Sequence, residues 1–187
     1  NGMTAKEAMN WILKPNPAKN ELLSILKQIY NPNLDNILPT NKIIIPVNKE
    51  NVIKNKLVSP QYYDKILPNL SITIPSNAIN YKNELFMLDL FANYDWTRPI
   101  YFSSGGLYDN ANIFYTNDYL QFEGFSYKLV PLLASQSQYG SDALVDSKDM
   151  YQQIKKYRWA NFNNPDAYFD QTSTNNILTY RNAVIRT

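Results

Sequence analysis

Apolar positions along the first thirty residues recur at helical spacing, and at residue 42 that rhythm gives way to an unbroken β-branched run. In "TAKEAMNWILKP", Ala5, Ala8, Met9 and Ile12 share one helical face, Thr4 and Glu7 have the spacing of a capping box, and Pro15 ends the pattern. "KNELLSILKQIY" sets Leu22, Ile25, Leu26 and Ile29 on a second helix, and "YNPNLDNILPTN" reads as loop by its Asn, Asp and Pro content. Residues 1–39 are therefore read as an N-terminal helical segment. "KIIIPV" is a strand in which Pro46, lacking an N–H, belongs at an end or edge. "NKENVIKNKL" and "SPQYYDKIL" follow as helices, the second with Ser59 as N-cap and Pro60 in its first turn. "LSITIP" is another strand. "NELFMLDLFANY" is apolar on nearly every face, the mark of a helix buried on more than one side, and "RPIYFSS" is a third strand.

Strands alternating with helices predict parallel pairing through right-handed crossovers. The fold class that follows is α/β: a mixed, mainly parallel sheet covered by helices, with "RPIYF" an interior strand and helical segments at both ends. Further on, "TNDYLQFE" reads as a short helix closed by Gly124, and "FSYKLVPL" alternates like a half-exposed strand. "ASQSQYGSDALVDS" reads as a surface loop. "KDMYQQIKKYRW", capped by Ser147, and "STNNILTYRNAVIR" complete residues 40–187 as an α/β domain continuing into C-terminal helices.

Composition narrows the chemistry. A chain of 187 residues suits a single core, and a formal charge of +2 with interspersed signs offers no field for nucleic acid. With no Cys and no His, the chain has no thiol nucleophile, imidazole base, disulfide, or thiolate or imidazole zinc site. Asn is the commonest residue and Tyr is abundant, amides and phenols that suit hydroxyl-rich carbohydrate; a codon bias against G and C gives the same enrichment. No window approaches the ~20 apolar residues of a membrane helix. The start at Asn-Gly-Met and an end within a helical pattern lacking Gly or Pro read as a piece of a longer protein.

Two strings stand out together, "DWTRPIYF" and, some way on, "YLQFEGFSYKLVPL". With "IPVNKENV", "NELFMLDLFA", "YRWANFNNPDAYFD" and "RNAVIR" in the same order, they resemble the soluble C-terminal region of a bacterial family of multi-pass membrane proteins. That family is similar to protein O-mannosyltransferases of the GT-C superfamily. The resemblance covers most of residues 40–187, departing at Lys128, where the family pattern prefers Arg, and in the Gly-rich stretch after "RPIYF". It implies a non-catalytic accessory domain on the periplasmic face of a bacterial membrane, tethered by transmembrane helices outside this chain. Its partners would be its own membrane-embedded domain and a glycan or acceptor protein, with no cofactor and no metal.

For binding, Ser103, Ser104, Gly105 and Gly106 leave the carboxyl end of a predicted strand, where ligands of open α/β sheets gather. A flexible turn is the plainer reading of the same residues. Arg98 could clamp a carboxylate or phosphate, but Trp96 and Pro99 beside it point to a packed corner with an internal partner among Asp89, Asp95 and Glu123. Asp118 and Glu123 are the one carboxyl pair that invites acid/base chemistry, the basis of an alternative reading as an independent hydrolase or transferase. Five positions apart on a short helix, they would not share a face, and Glu123 beside Gly124 is better read as capping or pairing within the core. Tyr108 and Tyr115, on loop sequence, could stack on sugar rings, whereas most other tyrosines sit at packing positions. A purely structural interaction domain is the third reading.

Overall fold

The structure is a computed structural model that describes residues 2–14, 20–21, 24–25, 38–74, 82–103, 115–134, 143–158, 164, 166, 168 and 170–185. The chain divides into two compact units, Asn1–Arg98 with Phe114–Thr116, and Pro99–Ile113 with Asn117–Thr187. Among the described residues no helix is long and apolar enough to cross a membrane.

The first unit begins with β1, Met3–Thr4, and α1, Ala5–Leu13. Thr4 Oγ1 accepts from the Glu7 backbone N–H, and the Thr4 N–H donates to Glu7 Oε2 at 2.7 Å, so the predicted capping box is made. β2, Lys42–Pro46, pairs parallel with β1 and antiparallel with β3, Asn69–Thr73. Gly2 lets the chain lie close beside β2, since a Cβ there would stand 2.9 Å from the Lys42 carbonyl oxygen. Ile43 faces Ile72 and Ile45 faces Leu70, all buried, so period-two alternation sets one face of each strand into the core. α2, Lys49–Lys54, and a 3-10 helix, Pro60–Lys65, lie between these strands. Ser59 precedes the 3-10 helix as predicted but makes no side-chain capping bond. α3, Lys82–Ala92, packs against α1. It buries Leu88 and Phe91 while Phe86 is 73% exposed and Leu90 43%, so it is covered on one side and not on several.

The second unit holds a four-stranded sheet: β4 Tyr101–Ser103, β5 Leu120–Glu123, β6 Ser126–Leu129 and β7 Leu144–Val145, in the order β4-β6-β5-β7. β4 and β5 both run antiparallel to β6, and the two-residue β7 is parallel to β5. The mainly parallel sheet expected from the sequence is thus two small mixed sheets, mostly antiparallel. A helix between two strands permits a parallel crossover without requiring one, and alternation serves either direction. "RPIYF" contributes an edge strand in an antiparallel pair, with Ile100 and Phe102 half-buried and not core.

"TNDYLQFE" is a 3-10 turn, Asn117–Tyr119, leading into β5, not a helix. Gly124, read as a helix stop, is the first loop residue of the β5–β6 hairpin, at φ 65°. Positive φ there with Phe125 on the ordinary side is the pattern of a type II′ turn. β6 is buried on both faces apart from Ser126, because α4, Ser147–Ile154, lies over the neighbouring β5. Asp146, not Ser147, caps α4, its carboxylate accepting from the N–H groups of Lys148 and Asp149. α5, Gln171–Ile185, follows the cap Asp170. The predicted helix at residues 19–30 and the loop at 134–147 lie largely outside the described residues; within the latter, β7 was not foreseen.

Candidate functional site

The ladder of the second sheet determines which side chains meet. Tyr101 pairs with Lys128, Lys128 with Gln121, and Gln121 with Leu144, so these four form one row across β4, β6, β5 and β7. Glu123 lies two residues beyond Gln121 and therefore on the same face. Phe102, Tyr127, Phe122 and Val145 form the adjacent row on the opposite face, where the Phe122 and Tyr127 rings are 5.0 Å apart. One face is apolar, as a core requires. The other carries a buried polar cluster.

At its centre Lys128 Nζ stands 2.9 Å from Glu123 Oε2, with side-chain exposures of only 7% and 9%. The other carboxylate oxygen, Oε1, accepts from the Gln153 amide at 3.2 Å and from the Tyr101 hydroxyl at 3.3 Å. Gln153 reaches in from α4, which is further held by the Gly124 N–H donating to the sulfur of buried Met150 at 3.0 Å. Gln121 is buried and its Oε1 has no hydrogen-bond partner. Burial, then the charge and hydrogen bond of Glu123, then the charge of Asp149, push the Tyr101 phenol up to about 12. Tyr101 is therefore a neutral donor at ordinary pH. The cluster offers two charges that cancel, a phenol, two amides and no group poised as a base.

Arg98 stands elsewhere, and the expectation of an internal ion pair fails. Its side chain is exposed, and among the described residues no carboxylate meets it. The partners expected for it are otherwise engaged: Asp95 accepts from the amides of Asn48 and Asn51, Asp89 from Asn93, and Glu123 takes Lys128. Trp96 makes the packed corner instead, at φ 57° and fully buried, its Nε1–H donating to the Pro46 carbonyl at 2.8 Å. Tyr94 packs against it with ring centroids 4.7 Å apart and planes tilted by 43°, and donates to the Arg98 carbonyl at 2.8 Å. The Arg is held through its backbone.

Ser103 ends β4 and is exposed; Ser104, Gly105, Gly106 and Tyr108 lie outside the described residues. Tyr115 takes φ 57° in the first unit, its phenol raised by burial and by the charge of Glu84. Asp118 is exposed in the 3-10 turn, whereas Glu123 is committed to Lys128 in the sheet. One stands in solvent and the other in an ion pair, so the structure does not bring them together as an acid/base pair. Lys128, Gln121 and Gln153 were not singled out as site residues, and alternation of "LQFEGFSYKL" about a Gly-centred hairpin was the signal that could have placed the first two beside Glu123. Nothing local to the sequence could have brought Gln153. Among the described residues no cluster of three carboxylates could hold a metal ion.

A family model described as TMEM260-associated domain 2 matches residues 1–149. No curated protein and no solved structure matches the chain.

Proposed function

The chain belongs to the TMEM260-associated domain 2 family, and from that premise we propose that it is a non-catalytic accessory domain of a membrane-embedded, O-mannosyltransferase-like glycosyltransferase. In this reading it lies on the periplasmic face of the membrane, tethered by helices outside this chain, and positions a glycan or acceptor protein beside an active site carried elsewhere. The family match is the observation that carries the reading, and it agrees with the resemblance of "DWTRPIYF" and "YLQFEGFSYKLVPL" to such proteins. Chemistry supports the non-catalytic part. General acid–base catalysis needs a positioned group with a pKa near the working pH. The chain has no His or Cys, Tyr101 is raised away from neutrality, and Glu123 is engaged by Lys128.

Ser103, Ser104, Gly105, Gly106, Tyr108, Tyr115 and Asp118, with Arg98, remain proposed contacts for the bound partner, and Glu123 joins them through its cluster. The test is to incubate the purified chain with polyprenyl-phosphate sugars and acceptor peptides while following its amide resonances. No turnover, with amide shifts caused by glycan or peptide, is the expected result. Sugar transfer or hydrolysis by the chain alone, lost in Asp118→Asn, would instead establish the independent enzyme.

A further inference from the structure

α4 commits one side to the sheet, through buried Met150 and through Gln153 at Glu123. The opposite side is left to solvent and carries Lys148, Tyr151, Gln152 and Lys155, which neighbour one another at spacings of three and four. Asp149, the one carboxylate between Ser147 and Arg158, lies off that face, where its charge is felt by Tyr101. Beyond the helix the chain adds Lys156 and Arg158, both exposed. Among the described residues none of these cations meets a carboxylate: Lys155 Nζ stands 4.9 Å from the Tyr151 ring centroid, and Lys156 donates to Gln153 Oε1 at 3.1 Å. The helix dipole favours cations at the C-terminal end and does not account for Lys148, which stands in the first turn, where its sign is unfavourable.

We propose that the outward face of α4, with Lys156 and Arg158, docks on an anionic phospholipid surface. The cations complement lipid phosphates, and Tyr151, 53% exposed on the same face, has the ring and hydroxyl that settle at headgroup level, while the lysine stems lie along the surface. Protein interfaces favour Tyr but are depleted of Lys, whereas an anionic lipid surface takes both. The inference rests on the accessory-domain reading: a chain tethered at a membrane meets lipid at high effective concentration, so a contact of few charges suffices. It acts within a screening length of about 8 Å and needs no large net charge on the chain as a whole.

The probes are bicelles of phosphatidylcholine alone and of equimolar phosphatidylcholine and phosphatidylglycerol, titrated into the isotope-labelled chain. Expected are shifts and line broadening of the amides of residues 147–158 with the anionic bicelles, little response to the neutral ones, and loss of the effect in about 1 M salt, where the screening length falls to about 3 Å. Lys148→Gln combined with Lys155→Gln, both at exposed positions, should weaken the anionic contact at least about tenfold, with the resonances of the sheet unmoved. Tyr151→Ala should weaken it severalfold. Unchanged binding in either variant overturns the proposal, as does an equal response to both bicelles. Inorganic phosphate or a polyglutamate peptide that moves the same amides while anionic bicelles do not also overturns it, in favour of a soluble anion or an acidic protein. No response to any of these overturns it too and leaves the accessory-domain reading standing, since that reading is judged by the glycan and acceptor-peptide titration.

Discussion

Lys128 and Glu123 show how a single pair can matter more than its attraction suggests. Two charges taken out of water are costly, and removing one leaves the other buried without compensation. Lys128→Met should therefore destabilise the second unit by about 3–5 kcal/mol in urea unfolding. Adding Glu123→Leu to it should restore much of that loss, and a double variant no better than the single would mean that Glu123 is not the stranded partner. Tyr101 makes a pH-dependent contribution. Its phenol is neutral in the fold up to about 12, against the ordinary 10.0 of an exposed tyrosine in the unfolded chain. The stabilisation is thus fully present below the unfolded value and is lost as pH rises from there through the folded one. Absorbance titration of phenolate should show late-ionising tyrosines, one fewer in Tyr101→Phe, with Tyr94 remaining because burial raises its phenol as well. Trp96, buried in a left-handed conformation and bonded to Pro46, anchors the "DWTRP" corner. Trp96→Ala should cost about 3–5 kcal/mol.

At the scale of elements, the β5–β6 hairpin organises the candidate site, because its turn puts Glu123 in register with Ser126 and Gln121 in register with Lys128. Gly124 is the residue that permits this turn: its φ of 65° is unfavourable for other residues, and a Cβ there would collide with the Tyr157 hydroxyl. Gly124→Ala should destabilise the fold by about 1–2 kcal/mol from the backbone alone, and it should disturb the Phe125–Tyr157 ring pair, whose centroids are 4.4 Å apart. Preserved stability with unshifted Tyr157 resonances would show that the turn tolerates a side chain. α1 depends on a different local device. Thr4→Ala removes one half of its capping box and should cost about 1 kcal/mol, read as a lower melting temperature with little change in the circular dichroism of the folded state.

For the whole molecule, the absence of His has a direct thermodynamic consequence. No side chain of ordinary pKa changes charge between about pH 6 and 8, so stability measured by denaturant should be flat across that window; a slope there would reveal a strongly displaced carboxyl or amine. A net charge of +2 spread through the chain likewise leaves recognition to hydrogen bonds and surface shape more than to long-range attraction.

The sequence by itself determined the features whose causes are local. The capping box at Thr4 and Glu7 needs only a helix start, and the strands at Lys42–Pro46 and Asn69–Thr73 follow from β-branched runs bounded by Asn and Pro. The resemblance carried by "DWTRPIYF" and "YLQFEGFSYKLVPL" was likewise legible, and it agrees in its coarse content with the family match. Strand direction was not legible, because hydrophobic alternation is the same read forwards or backwards and the helices between β2 and β3 are compatible with either pairing. That Glu123 caps or pairs within the core was legible, and the second holds. Its partner was not: only the hairpin register places Lys128 against it, with Gln121 next to Lys128. Arg98 failed for the complementary reason: proximity in sequence to Asp95 could not reveal that amides from α2 already occupy that carboxylate. Partners of charged groups are chosen by tertiary packing, since desolvation and hydrogen-bond geometry decide among carboxyls that the sequence presents as equals.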